Sequence, residues 1–247
     1  MHAQITIVPA SDPFESESCI EQKFVFDTTN KDLLLEWLDF HLVRDPAFYF
    51  GPVVSLYYDT PSLSFYGQVC DGDFIKTKIR LRWYQTRFAP EQESVTCYLE
   101  IKRKYGARRQ KQRQQLALET RFLSGDLFSH PAIVDAPNDM PEARATGGGL
   151  LVPVLIVQYE RFRFVDPRSG ARISLDTGVV CSGANAAYIA DAAPLVLETD
   201  VLEVKGILDG LPGCLLPISR HLRKRSFSKY AACCAALMEP SRSRRLI

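Results

Sequence analysis

Lys76-Thr77-Lys78-Ile79-Arg80-Leu81-Arg82-Trp83-Tyr84 carries basic residues at every second position. Side chains on a strand point to opposite faces in turn. Lys76, Lys78, Arg80 and Arg82 therefore share one face, and Ile79, Leu81 and Trp83 take the other. The period returns in Val95 to Lys104, where Glu100, Lys102 and Lys104 oppose Leu99 and Ile101. A polar loop with Pro90 joins the two segments and predicts a hairpin. Later segments repeat the theme with Tyr159, Arg161 and Arg163, then Arg172, Ser174 and Asp176, then Glu203 and Lys205; Glu21 and Lys23 share a face near the start, with Cys19 two residues earlier. A solvated sheet face ordinarily mixes signs. Several strands that each turn basic residues to one side predict a concave surface for a multiply charged anion.

The bulk composition makes that basicity local. The 247 residues are 46% hydrophobic and 24% charged, ordinary for a globular chain with a full core, and length alone does not demand a second domain. The net charge is only +1, which argues against a general nucleic-acid coat. Seven cysteines without C-x-x-C spacing read as reduced core residues, and four scattered histidines offer no zinc-ligand spacing. No basic, apolar leader opens the chain and no apolar run has membrane-spanning length, so the expected location is cytoplasmic.

The whole chain, 1–247, reads as one domain with a core of about 20–238, flexible termini at 1–18 and 239–247, and a long loop at 131–149. Predicted strands are Ile20 to Phe26, Val53 to Tyr58, Lys76 to Tyr84, Val95 to Lys104, Val154 to Val165, Ala171 to Val179 and Leu195 to Lys205. A helix with Leu34, Leu35, Leu38 and Leu42 on one face follows a cap at Thr29 or Asn30, and a short one follows Asp59-Thr60-Pro61. GARRQKQRQQ reads as a basic stretch before a helix at Leu116 to Leu127, and Lys229 to Met238 as a final helix. The expected fold is α+β, an eight-stranded antiparallel β-barrel with flanking helices.

Lining such a barrel with cations is unfavourable unless a polyanion neutralises them. Arginine grips phosphate oxygens with a two-pronged fork and lysine acts as a mobile point charge, so a mixed wall suits a chain of phosphates. A carboxylate in that wall points to a divalent metal. Magnesium and manganese take oxygen ligands and bridge phosphates, which makes Glu203 the metal candidate and Glu21 the second. Structural readings stand beside these. Arg103, Arg108 and Arg109 read as exterior, and Lys111 and Arg113 as either solvated or rim residues. Asp59 and Asp176, each followed by Thr, read first as turn caps; Tyr57, Tyr58 and Trp83 as core; Cys233 and Cys234 as packing residues. No Gly-rich nucleotide loop ending in Lys and no Ser/His/Asp arrangement is present.

Taken in order, EQKF from Glu21, SLYYDTPSLSFY, KIRLRWY from Lys78, LEIKRK, QYER from Gln158, ARISLDT, LEVK and SFSKY resemble the catalytic domain of the vacuolar transporter chaperone (VTC) polyphosphate polymerases, within the triphosphate tunnel metalloenzymes. The resemblance implies a tunnel that binds ATP or another triphosphate and a growing inorganic polyphosphate chain, together with Mn or Mg. It implies phosphate ligands at Lys23, Arg80, Arg82, Lys102, Arg161, Arg172 and Lys229, lesser ones at Tyr159, Ser228 and Lys111, and the metal on Glu203. The face pattern adds Glu21, Lys78, Lys104, Arg163 and Lys205. Two positions depart from the family pattern: Cys19 stands where related hydrolases carry the outer of two glutamates, and Ser226 where a lysine is expected, beside Arg225. The expected activity is transfer of the γ-phosphate of ATP to polyphosphate. The alternatives are hydrolysis of tripolyphosphate or an organic triphosphate, and polyphosphate binding without turnover.

Overall fold

A computed structural model describes residues 8–9, 20–84, 94–106, 108–123, 125–147, 149–190, 194–207 and 210–238. Apart from residues 8–9, the expected terminal segments, with Cys19 and the Pro90 loop, lie outside these residues. Twelve strands are formed among them: β1 (Val8–Pro9), β2 (Ile20–Asp27), β3 (Val43–Arg44), β4 (Phe50–Asp59), β5 (Ile75–Tyr84), β6 (Ser94–Tyr105), β7 (Arg108–Glu119), β8 (Val152–Val165), β9 (Arg172–Ala184), β10 (Leu195–Val196), β11 (Thr199–Gly206) and β12 (Arg223–Lys224). The helices are α1 (Lys31–His41), α2 (Ser64–Cys70), α3 (Thr120–Leu123), α4 (Pro131–Val134), α5 (Pro141–Gly147) and α6 (Lys229–Met238).

All strands belong to one antiparallel sheet in the order β1-β7-β6-β5-β4-β8-β9-β11-β2-β12, with β10 on β9 and β3 on β8. The eight long strands form the uninterrupted run from β7 to β2. Closure into an eight-stranded barrel is not shown, because the outer edges of that run pair with β1 and β12 and not with each other. They meet through side chains: Arg109 on β7 donates from Nη1 to Glu21 Oε2 at 2.9 Å. The α+β class holds, as an open curled sheet.

The hairpin register is the one alternation demands. Lys78 faces Lys102 and Arg80 faces Glu100 across β5 and β6, while Ile79, Leu81, Leu99 and Ile101 are fully buried on the opposite side. The apolar core lies outside the curl, under the helices. Leu34 and Leu38 of α1 pack with Phe24, Phe164 and Ile173, each large side chain contributing about 1.5–3 kcal/mol by burial. Ile133 of α4 and Ala143 of α5 cover the β4–β7 side.

Two segments differ from expectation. GARRQKQRQQ and the predicted helix after it are largely one strand, β7, paired with β6 from Arg108↔Tyr105 to Glu119↔Ser94; only Thr120–Leu123 is helical. Arg and Gln are good helix formers, yet a ladder to β6 outweighs local preference. The predicted loop 131–149 holds α4 and α5, each opened by a proline in the first turn. Leu195 to Lys205 is split into β10 and β11.

Candidate functional site: a basic cavity inside the curled sheet

A cavity of about 580 Å³ fills the concave side. Among the described residues, sixteen lysines and arginines and three glutamates (Glu21, Glu100 and Glu203) line it. Each strand delivers its share by alternation: Lys76 to Arg82 from β5, Glu100 to Lys104 from β6, Arg109 to Arg113 from β7, Tyr159 and Arg161 from β8, Glu203 and Lys205 from β11, Glu21 and Lys23 from β2.

Two buried carboxylates organise the arginines. Glu100 Oε2 accepts from Arg80 Nε at 2.8 Å and Nη2 at 2.6 Å. Arg82, Lys111 and Arg113 lie 3.8–3.9 Å from the same carboxylate. Burial raises its pKa, but Arg80, Arg82 and Lys102 outweigh that and hold it well below the usual carboxylate range. Arg82 is also fixed by donating to Ser55 Oγ at 3.1 Å and Tyr159 Oη at 2.9 Å. On the other wall, Asp176 is fully buried. Its Oδ1 accepts from Arg161 Nε at 2.5 Å, and its Oδ2 from Arg161 Nη2 at 2.7 Å and Lys229 Nζ at 2.5 Å. Arg161 and Lys229 overcome the effect of burial and keep this carboxylate ionised.

Lys229 reaches that position because α6 is clamped beneath β4. Tyr230 Oη donates to Asp59 Oδ2 at 2.6 Å, and its ring stacks on Tyr57 at 5.2 Å. Asp59 also accepts the amides of Thr60, Phe65 and Tyr66, so its reading as a cap holds. Ser228 Oγ accepts from Ala231 N at 3.3 Å and caps α6. A lysine in the first turn of a helix opposes the dipole, and Asp176 offsets this.

The third group sits between β2 and β11, where Glu203 pairs in register with Lys23 and Lys205 with Glu21. Lys205 Nζ lies 2.8 Å from Glu203 Oε1 and 3.7 Å from Glu21 Oε2; Lys23 Nζ lies 3.2 Å from Glu21 and 3.5 Å from Glu203. Burial raises the Glu203 carboxyl, but Lys23, Lys205 and Arg161 carry it well below its ordinary value. In contrast, Lys78 and Lys102 make no ion pair among the described residues. Burial, Lys23 and Arg80 push Lys78 down to about 7, and burial with Arg80 and Lys205 depresses Lys102 strongly.

Most of the sequence candidates converge here: Glu21, Lys23, Lys78, Arg80, Arg82, Lys102, Lys104, Lys111, Tyr159, Arg161, Glu203, Lys205, Ser228 and Lys229 all line the cavity. Arg163 and Arg172 do not. Arg163 turns toward the rim and donates to Phe48 O at 3.0 Å, and Arg172 is exposed at the start of β9. Four structural readings are corrected. Asp176 is the buried partner of the cavity-lining Arg161 and Lys229 and not a turn cap, Arg109 faces the cavity through Glu21, Arg103 also lines it, and Tyr57 lines it as well as packing in the core. Glu100 shared the basic face of β6 in the sequence, but its role as the partner of Arg80 needed the β5–β6 register. Ser226 and Arg225 both line the rim.

The model of the VTC domain matches residues 15–238. The chain belongs to that family. No curated protein matches it. Among solved structures, this VTC domain is similar to a candidate adenylate cyclase from Vibrio parahaemolyticus, at 14% identity over 86% of this chain and 97% of that one, with a TM-score of 0.43. A second candidate adenylate cyclase, from Bacillus halodurans, is 12% identical over 81% and 86%, with a TM-score of 0.41. The S. pombe Pct1 RNA triphosphatase, in complex with the Spt5 CTD, is 14% identical over 91% and 77%, with a TM-score of 0.29. Among the described residues of this VTC domain no helix is long and apolar enough to cross a membrane.

Proposed function

We propose that this VTC domain is a metal-dependent phosphotransferase that moves the γ-phosphate of ATP onto an inorganic polyphosphate chain held in the basic cavity. The observation that carries the reading is the sixteen cations against three glutamates around one cavity. Buried cations left uncompensated cost several kcal/mol each, so the wall is built for a ligand that supplies the missing negative charge along its length. A terminal oxygen of the acceptor forms the new bond to the γ-phosphorus, the bond from that phosphorus to the β,γ-bridging oxygen breaks, and ADP leaves.

The residues do this by position and charge. Arg80, Arg82 and Arg161 are locked by Glu100, Ser55, Tyr159 and Asp176, so their forks are aimed before a phosphate arrives. Lys78 and Lys102, which make no ion pair among the described residues and whose charge burial disfavours, gain that charge as phosphates arrive and can follow the chain as point charges. Phosphoryl transfer through a loose transition state needs little covalent help, which agrees with a wall that offers cations and no activated nucleophile.

The donor set fits a divalent metal in one way. Among the described residues no three His, Cys, Asp or Glu side chains are grouped to cage an ion. Glu203 and Glu21 give hard oxygen donors from adjacent strands, and phosphate oxygens and water would complete the shell, as is usual for magnesium. Glu203 would hold the metal, which when bound supplies charge neutralisation between neighbouring phosphates.

The test is product analysis of the full chain with ATP and manganese. Polymer resolved on a gel, with matching ADP, supports the reading. Orthophosphate released from tripolyphosphate without polymer moves the activity to the hydrolase alternative. Glu203→Gln should lose turnover while retaining tripolyphosphate binding, and undiminished turnover in that variant removes Glu203 from the metal role.

A further inference from the structure

The cavity has unlike ends along β5. Lys76 and Tyr84 both line it and stand about 26 Å apart on an extended strand. At the Lys76 end, Lys104 and Arg109 follow in register across β6 and β7, and both are exposed. That end is cationic. At the other end the alternation of basic residues stops: the cavity-face position after Lys76, Lys78, Arg80 and Arg82 is an aromatic ring, 36% exposed.

Tyr84 does not stand alone. Tyr98, opposite Arg82 in the hairpin register, meets it edge to face with ring centroids 6.3 Å apart. The Arg113 guanidinium lies 3.5 Å over the Tyr98 ring and holds it, and the Arg163 guanidinium lies 5.7 Å from the Tyr84 ring. Packing does not require an aromatic there, since the core-facing residue of this strand end is the neighbouring buried Trp83. A phosphate chain can use a phenol hydroxyl as a hydrogen-bond donor, but it gains nothing from the face of the ring. A nucleoside triphosphate, however, is a phosphate chain with a flat aromatic base at one end, and base on tyrosine stacks whatever the base.

We propose that the Tyr84–Tyr98 rim is the docking site for the base of the nucleoside triphosphate donor, with Arg82, two residues along β5, the first cation to meet its phosphates. The inference rests on the phosphotransferase reading and assigns that donor an end of the cavity. Stacking supplies the contact, so ATP and GTP bind with similar affinity.

Tyr84→Ala in the full chain separates this from a general wall role when ATP and inorganic tripolyphosphate are titrated in parallel, because the second ligand has the phosphates and no base. ATP affinity should fall about tenfold, the loss of one base–aromatic stack, with tripolyphosphate affinity unchanged. Tyr84→Phe should keep the affinity for ATP. Unchanged ATP binding in Tyr84→Ala overturns the base site, and so does an equal loss for both ligands. If the unaltered chain binds neither ligand, the cavity reading falls and this site with it; intact tripolyphosphate binding beside an ATP affinity indifferent to Tyr84 overturns the base site alone.

Discussion

The two walls of the cavity solve one problem with different ratios of charge. On the Asp176 wall a single carboxylate serves Arg161 and Lys229, and every contact is 2.5–2.7 Å. On the Glu100 wall one carboxylate answers Arg80 closely and Arg82, Lys111 and Arg113 at 3.8–3.9 Å. The first is a closed ion cluster. The second is short of negative charge, and Lys78 and Lys102 lie in register beside it with no ion pair among the described residues. The difference divides the cations into a group that positions and a group that waits for a ligand, with Glu100 at the boundary.

The comparison breaks first at Glu100. Glu100→Gln leaves Arg80 and its neighbours uncompensated and should cost about 5 kcal/mol in urea unfolding at neutral pH, the upper end for a broken buried pair. Saturating tripolyphosphate should return part of it. Asp176→Asn frees only two cations, one at a helix start where it can turn to solvent, so the expected loss is smaller, about 3 kcal/mol. A larger loss at Asp176 than at Glu100 would reverse the division. Asp176→Asn should also weaken tripolyphosphate binding less than Arg161→Ala does, since the cations remain.

The pH dependence sharpens the same contrast. Both carboxyls are held below their ordinary values, so their contribution is present above about pH 4 and is lost as acid protonates the folded state. Lys78 behaves oppositely. Its folded value of about 7 lies below the ordinary 10.5, so between these the unfolded chain holds a proton that the fold lacks, and stability without ligand rises with pH across that window. Lys78→Met should flatten the rise. Tripolyphosphate binding should take up a proton above pH 7, read by calorimetry in buffers of different ionisation enthalpy. The smallest effect belongs to Arg172→Ala: exposed and screened, it should change tripolyphosphate affinity less than about twofold at physiological salt.

Alternation made β5 and β6 legible, because one period decides both which residues face the ligand and which form the core. It made β7 illegible. Gln110 to Gln115 carries no β-branched residue, and only its ladder to β6 makes it a strand; with β7 unseen, Arg109 could only be placed outside. Asp176 failed for a different reason. Asp59-Thr60 and Asp176-Thr177 look alike in sequence, and what separates them is Arg161 on the neighbouring strand together with a lysine 53 residues away in α6. The positions of Arg163 and Arg172 followed the correct face but ran past the ends of the cavity, since a face says nothing of depth.

The central claim is that the cation excess on this concave face binds a chain of phosphates. Titrating inorganic tripolyphosphate into the full chain by calorimetry at two salt concentrations tests it most directly. The account predicts saturable one-to-one binding that weakens as salt rises and is lost in the Arg80→Ala, Arg82→Ala double variant. Absence of binding, or binding indifferent to salt and to both arginines, would contradict it.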